Sequence, residues 1–329
     1  MGRCRTLAGV LDCAAHGDVA THDTTFAMLC ASAYEQALRD FDEVHGRLLK
    51  RGINLLRPGT GPAIENYHEL GMRQAFRCDL RHTPHMRTVL PRVGSTARDN
   101  EVVQQVVKVV CDPPGAKHAA GNWGRWNFEG GGPQAPKPRL VVCPAGAVMS
   151  LPGAQDQLVH ADTPHLYEHV HLPPHYLNFF FPAAALDAAP ARPAAAEGAA
   201  GGAPADAAGS GDPLMEVGQT AFLLGTHRLE ASEACMDNPR GEEAGLRERQ
   251  RRLIRPHLAL GDALLFDVRL LHFGLANKSA GVRRPVLYVN WHQPWWARER
   301  VDKNFTKESL FADAATATAA DTQARGGSM

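Results

Sequence analysis

Two histidines and an aspartate suited to holding a redox metal stand in two widely separated segments. His160 and Asp162 lie two apart in Gln157-Leu-Val-His160-Ala-Asp162, and His272 ends Leu270-Leu-His272, followed by Asn277 and Arg283-Arg284. A His-x-Asp pair with a distant His is the ligand set of the 2-His-1-carboxylate facial triad, which binds Fe(II) on one face and leaves positions open. Three protein ligands leave three sites on an octahedral iron. A 2-oxo acid fills two of them through its carboxylate and keto oxygens, and dioxygen takes the last. The distal carboxylate of 2-oxoglutarate then needs a permanent cation at a fixed reach, and a guanidinium fork supplies a bidentate partner. Arg283 and Arg284 follow His272 by eleven and twelve residues. Neighbours on a strand point to opposite faces, so one of the two serves. The spacing favours Arg283, whereas the run Arg-Pro-Val-Leu-Tyr favours Arg284, and both stay candidates.

These residues need a frame that brings distant segments together. If Leu158–Asp162 is a strand, His160 and Asp162 share a face and Ala161 turns away. Short apolar runs at 139–143, 176–181, 220–224, 263–266 and 285–291 read as further strands, separated by Gly, Pro and Asp turns. Before them, Phe26, Leu29, Ala33, Ala37, Phe41, Val44 and Leu48 recur at three- and four-residue steps, which predicts an amphipathic helix over 24–51. Asp23 or Thr24 can cap its start, and Lys50-Arg51-Gly52 suits its end. Val102, Val106, Val109 and Val110 predict a second helix over 100–110. Helices first and strands afterwards imply a mainly β protein with flanking α: one sandwich or jelly roll with N-terminal helices packed outside. The expected organisation is a helical segment over 1–120, a β core over 121–312 and a flexible tail over 313–329. An insertion at 183–212, in which fifteen of thirty residues are Ala, is broken by Pro190, Pro193, Pro204 and its glycines and reads as disordered.

Composition narrows the partners. The 35 basic and 35 acidic residues balance, so no basic field invites nucleic acid or an anionic membrane. A small-molecule substrate is expected. No apolar run approaches the roughly 20 residues needed to span a bilayer. Seven cysteines without a CxxC argue against a disulfide framework or a zinc ribbon and predict buried free thiols in a reducing compartment. Met1–Ala20 lacks the continuous apolar stretch of a secretion signal, which implies an intracellular, cytoplasmic placement with an organelle left open. Asn277-Lys-Ser and Asn304-Phe-Thr fit the glycosylation pattern, which matters only in a secreted protein. His165 and His169, at i and i+4, are a competing zinc pair, although no Cys or Glu completes a tetrahedral set beside them. His171 and His175, beside prolines, read as surface or packing residues. Trp291, Trp295 and Trp296 are candidates for a substrate mouth, with core packing the role for at least two of them.

The chain resembles the phytanoyl-CoA dioxygenase family of Fe(II)- and 2-oxoglutarate-dependent oxygenases. The resemblance is carried by three pieces in the family's order. They are Gln157-Leu-Val-His160-Ala-Asp162; Gly218-Gln-Thr-Ala-Phe-Leu-Leu-Gly225-Thr-His227-Arg228; and Gly261 to Ser279 with Arg283-Arg284-Pro-Val-Leu-Tyr. It implies a double-stranded β-helix of the jelly-roll, cupin-like kind. It also implies iron at His160, Asp162 and His272, and an arginine matching Arg283 or Arg284. Asn178 falls where the family places a further cosubstrate contact. The expected activity is hydroxylation with release of succinate and CO2, using Fe(II), 2-oxoglutarate, O2 and ascorbate as reductant. The alternatives are a non-catalytic metal- or ligand-binding β-helix protein and a zinc-dependent hydrolase. Gly225-Thr-His-Arg228 matches a family loop read as structural or substrate-side. The alanine-rich insertion departs from the family, and nothing in the resemblance names a substrate or oligomeric state.

Overall fold

The computed structural model describes residues 5–7, 10–12, 24–59, 61–64, 66–81, 83–84, 86–111, 141–165, 173–182, 217–256, 258, 262–292 and 308–311. In chain order the elements are β1 Arg5–Leu7, β2 Val10–Asp12, α1 Thr24–Leu49, α2 Gly61–Ile64, β3 Leu70–Gln74, β4 Arg77–Arg81, α3 Met86–Asp99, α4 Glu101–Cys111, β5 Val141–Ser150 and β6 Tyr176–Pro182. They continue with β7 Thr220–Leu223, α5 Leu229–Met236, α6 Glu242–Arg252, β8 Leu253–Ile254, β9 Leu264–Asp267, β10 His272–Gly274 and β11 Arg284–His292.

The predicted first helix is present, with Ala33, Ala37, Phe41, Val44 and Leu48 buried along one face. It stops where Gly52 takes a φ of +77° and the Ile53 N–H returns to the Leu48 carbonyl at 3.0 Å, a turn that a side chain at Gly52 would strain. The valine-rich second helix begins at an asparagine cap. Asn100 Oδ1 accepts the N–H groups of Val102 (3.0 Å) and Val103 (3.2 Å), two donors with no partner inside the helix. Between these helices lies α3, which sequence periodicity passed over because Pro91 stands inside it. Met86, Leu90, Val93 and Ala97 nevertheless bury one face of it.

The described strands form two antiparallel sheets. The larger has eight strands in the order β1-β2-β9-β6-β11-β5-β4-β3, and the smaller runs β10-β7-β8. Alternation along β11 assigns its two faces. Leu287, Val289 and Trp291 enter the core shared with α1 and α3, while Arg284, Val286, Tyr288 and Asn290 face the other way. On β6, Leu177, Phe179 and Phe181 join the same helix-side core, and Phe180 packs with Phe222 and Phe266 between the sheets. Each large side chain buried in these cores contributes roughly 1.5–3 kcal/mol. Trp291 is such a core residue, stacked on Phe179 at 5.1 Å, and does not line a mouth. Two facing antiparallel sheets with helices outside the larger one make a double-stranded β-helix, as expected.

One strand assignment needs correction. Residues 158–162 are not a strand: they make a single antiparallel bridge, His160 to His272, and bend at Asp162. The bend follows from hydrogen bonding, because the Asp162 and Thr163 N–H groups both turn to the Val268 carbonyl. The insertion 183–212, the tail 313–329, His169, His171, Trp295, Trp296 and Asn304 lie outside the described residues.

Candidate metal centre

His272 is delivered by a reversal of the chain from the large sheet into the small one. β9 ends at Asp267, the Leu270 N–H closes onto the Asp267 carbonyl at 2.9 Å, and β10 starts two residues later. Asp267 pins the reversal by accepting Arg269 N–H and Arg269 Nε, each at 2.9 Å. Burial alone would push the Asp267 carboxyl up. The charge and hydrogen bonds of Arg269 outweigh that and hold it below the ordinary carboxylate range.

A second tie comes from Thr226, which is fully buried in the Gly225-Thr-His-Arg228 loop. Its hydroxyl donates to Leu223 O at 2.7 Å and accepts the Leu271 N–H at 2.9 Å. The loop therefore clamps the residue preceding His272, which gives the family-like segment a structural role.

His160 comes to the same place from the other edge of β10. Its backbone pairs with His272, and Gln157 N–H donates to the Gly274 carbonyl at 2.8 Å. His160 Nδ1 donates to Leu158 O (2.8 Å), and His272 Nδ1 donates to Leu270 O (2.9 Å), since a carbonyl can only accept. With Nδ1 holding the proton, each neutral ring turns the lone pair of Nε2 outward, the form a metal ligand requires. Asp162 Oδ2 stands 3.8 Å from His272 Nε2. One ligand atom from each of His160, Asp162 and His272 lies within 4.8 Å of the others. Donors this close can reach one ion with bonds of about 2.0–2.2 Å after small side-chain rotations. The donor set, two imidazoles and one carboxylate, suits a non-haem iron.

Asn178, on β6, donates from Nδ2 to Asp162 Oδ2, while its Oδ1 is buried without a hydrogen-bond partner among the described residues. The structure thus places Asn178 against the carboxylate of the triad.

The two arginines separate cleanly. Arg283 lies outward, paired with Asp42 and over the Phe41 ring at 5.6 Å. Arg284 turns inward and donates from Nη1 to the Gly218 carbonyl, across the gap between the sheets. Burial, with the nearby charge of Arg77, brings its guanidinium down to about 10. No carboxylate among the described residues pairs with it. Arg77, on β4, shares this setting: it is buried and donates to Gly274 O (3.0 Å) and Leu275 O (2.7 Å). Sequence reasoning missed it, because a lone arginine far from every motif carries no signal.

Asn277 ties together the loop that leads into β11. Its Nδ2 donates to Ser150 O (3.1 Å) and Val282 O (2.9 Å), and its Oδ1 accepts from Ser279. A glycan cannot occupy an amide used in this way. Of the zinc pair, His165 is described and His169 is not. Burial, then the charge of Arg269, lowers the pKa of His165. His175 is fully buried, which selects packing over the surface for it.

Two sheets that gather two imidazoles and a carboxylate at the edge of the smaller one define the class, a double-stranded β-helix with a facial-triad cluster. No family model matches the chain. Several solved structures are similar to it. AviO1 from Streptomyces viridochromogenes Tue57 is 15% identical, with 88% of this chain and 91% of that one covered and a TM-score of 0.42. SnoK, a non-heme alpha ketoglutarate dependent carbocyclase from nogalamycin biosynthesis, is 14% identical over 87% and 80%, with a TM-score of 0.42. EctD from S. alaskensis with 2-oxoglutarate and 5-hydroxyectoine is 12% identical over 87% and 72%, with a TM-score of 0.44. At these identities and scores, the functional assignment rests on the geometry of the site.

Proposed function

We propose that this chain is a non-haem Fe(II)- and 2-oxoglutarate-dependent oxygenase of the phytanoyl-CoA dioxygenase kind, hydroxylating a small molecule. The observation that carries this reading is the convergence of His160, Asp162 and His272 within 4.8 Å, with both imidazoles oriented by backbone carbonyls. Iron bound there with 2-oxoglutarate and dioxygen would supply the oxidising power to attack an unactivated C–H bond, with succinate and CO2 released and ascorbate keeping the metal reduced.

The chain's own groups do the rest. His160 and His272 present Nε2, and Asp162 presents a carboxylate oxygen steadied by Asn178. Arg284, a half-buried cation turned inward with no carboxylate partner among the described residues, holds the distal carboxylate of the cosubstrate, and Arg283 stays a surface residue. Phe180, Phe222 and Phe266 form an apolar cluster between the sheets, with Phe222 and Phe266 against the His272 ring at 5.8 and 5.3 Å, which favours a dry site. Buried free thiols at Cys30, Cys78 and Cys235 fit a reducing, cytoplasmic setting. No helix among the described residues is long and apolar enough to cross a membrane.

The direct test is turnover without added substrate. Purified protein with Fe(II), ascorbate and 2-oxoglutarate should release succinate slowly, and the release should stop when iron is chelated. Failure to release succinate, together with failure to bind 2-oxoglutarate, would end the reading.

A further inference from the structure

Resting on the 2-oxoglutarate reading above, we infer that Arg77 is a second cosubstrate-positioning residue, whose guanidinium and that of Arg284 close on one carboxylate over the Ser150 hydroxyl. The register places the three together. Ser150 on β5 is the Cα partner of Arg77 on one side and of Arg284 on the other. Directly paired residues of neighbouring strands point to the same face. One row across three strands therefore reads Arg77, Ser150, Arg284.

That face looks toward the small sheet, and both guanidinium heads end where the chain enters β7 and leaves β10. Arg284 reaches Gly218 O, while Arg77 reaches Gly274 O at 3.0 Å and Leu275 O at 2.7 Å. These carbonyls belong to touching segments. The Leu275 N–H donates to Gln219 O at 2.8 Å, and a Cβ added to Gly218 would overlap the Leu275 carbonyl.

Among the described residues the row has no carboxylate partner. A guanidinium has five N–H donors and does not lose its proton in a protein. Arg77 spends two of them and Arg284 one on the carbonyls above, and no described carboxylate lies within ion-pair distance of either. Asp156 acts on Arg77 from a distance, but its Oδ1 is used by the Ala276 N–H at 2.6 Å. Ser150 Oγ is buried with no hydrogen-bond partner among the described residues. Buried cations are costly unless paired. One carboxylate, with about four acceptor positions, answers two forks and a hydroxyl.

Gly274 makes the arrangement possible. A Cβ there would overlap Arg77 Nη1 and Gln157 Oε1. It stands two residues beyond His272 on β10, about 6.6–6.8 Å along the strand. That is the scale of a five-carbon dicarboxylate chelated at its far end. The competing role for Arg77 is a purely structural pin between β4 and β10.

The experiment uses the full chain loaded with Ni(II) and compares, by calorimetry, the dissociation constants of 2-oxoglutarate and of 2-oxobutyrate, which has no distal carboxylate. The preference for 2-oxoglutarate should shrink about 10- to 100-fold in Arg77→Gln, the loss of one charged hydrogen-bond partner, with 2-oxobutyrate affinity unchanged. Arg77→Lys keeps the charge and loses the fork, so it should shrink the preference less but measurably, and it decides the matter if the Gln variant does not fold. A wild-type preference in the folded Arg77 variants, with preference lost in Arg284→Leu, overturns this inference and leaves the cosubstrate reading standing. No preference for 2-oxoglutarate in the wild type overturns the cosubstrate reading itself.

Discussion

His160 and His272 exchange both backbone hydrogen bonds across one antiparallel bridge, at 3.1 and 2.8 Å, and their rings lie 4.6 Å apart. A bound metal would brace this bridge between a bent loop and a three-residue strand. Adding Fe(II) or Ni(II) at 100 times its dissociation constant should therefore stabilise the fold by about 2.7 kcal/mol. His160→Ala and His272→Ala should each abolish that gain and 2-oxoglutarate turnover. Thermal melting with and without metal checks it, and an undiminished metal-induced shift in either variant would remove that residue from the site.

Asn178 separates two roles. If it steadies Asp162, Asn178→Ala should weaken metal binding about 10- to 100-fold, as loss of a partner hydrogen-bonded to a ligand does. The 2-oxoglutarate requirement at saturating metal should then stay near the wild-type value. A raised requirement with unchanged metal affinity would instead make Asn178 a cosubstrate contact.

Arg284→Leu should weaken 2-oxoglutarate binding by about 2–5 kcal/mol, tens- to thousands-fold, with metal affinity barely changed. Arg283→Ala should cost no more than about 1 kcal/mol of stability, because its partner Asp42 is exposed. Calorimetric titration of both variants checks the pair. Reversed phenotypes would place the cosubstrate on the other face of β11.

The Asp267–Arg269 pair makes stability depend on pH. The folded carboxyl lies below its unfolded value, so the folded state binds that proton less tightly. Its contribution is whole above the unfolded carboxylate pKa of about 3.9 and is lost as pH falls through the lower folded value. Asp267→Asn should flatten the acid limb of the stability curve. It should also cost about 3–5 kcal/mol at neutral pH, because the buried guanidinium of Arg269 loses the Asp267 carboxylate. Urea unfolding across acid pH measures both effects.

Burial pushes the Cys30 and Cys78 thiols up to about 12. Both should resist iodoacetamide at pH 8 in the folded protein and react once it is unfolded, because the thiolate is the nucleophile. Mass spectrometry after timed labelling reads this out, and rapid native labelling of either would show an open core.

Some of this architecture is written in local spacing. The face of α1 follows from its three- and four-residue recurrence, and β6, β7, β9 and β11 follow from short apolar runs between turn residues. His160, Asp162 and His272 were legible because their residue types and order are demanding. The bend at Asp162 was not, because it is set by Val268 O, a hydrogen-bond acceptor far away in sequence. For the same reason α3 stayed hidden: an internal proline argues locally against a helix that tertiary packing stabilises.

The residues around the triad belong wholly to the tertiary structure. Arg283 and Arg284 are neighbours of one type, and only the register of β11 against β5 decides which one enters the interior. Arg77 joins Arg284 because β4 and β11 flank the same strand at Ser150, a pairing across segments with no local signature. Sequence alone determined the chemistry on offer, since residue type and spacing fix what a side chain can bind. The partner each side chain meets was decided by strand order and register, which arise from long-range hydrogen bonding and burial.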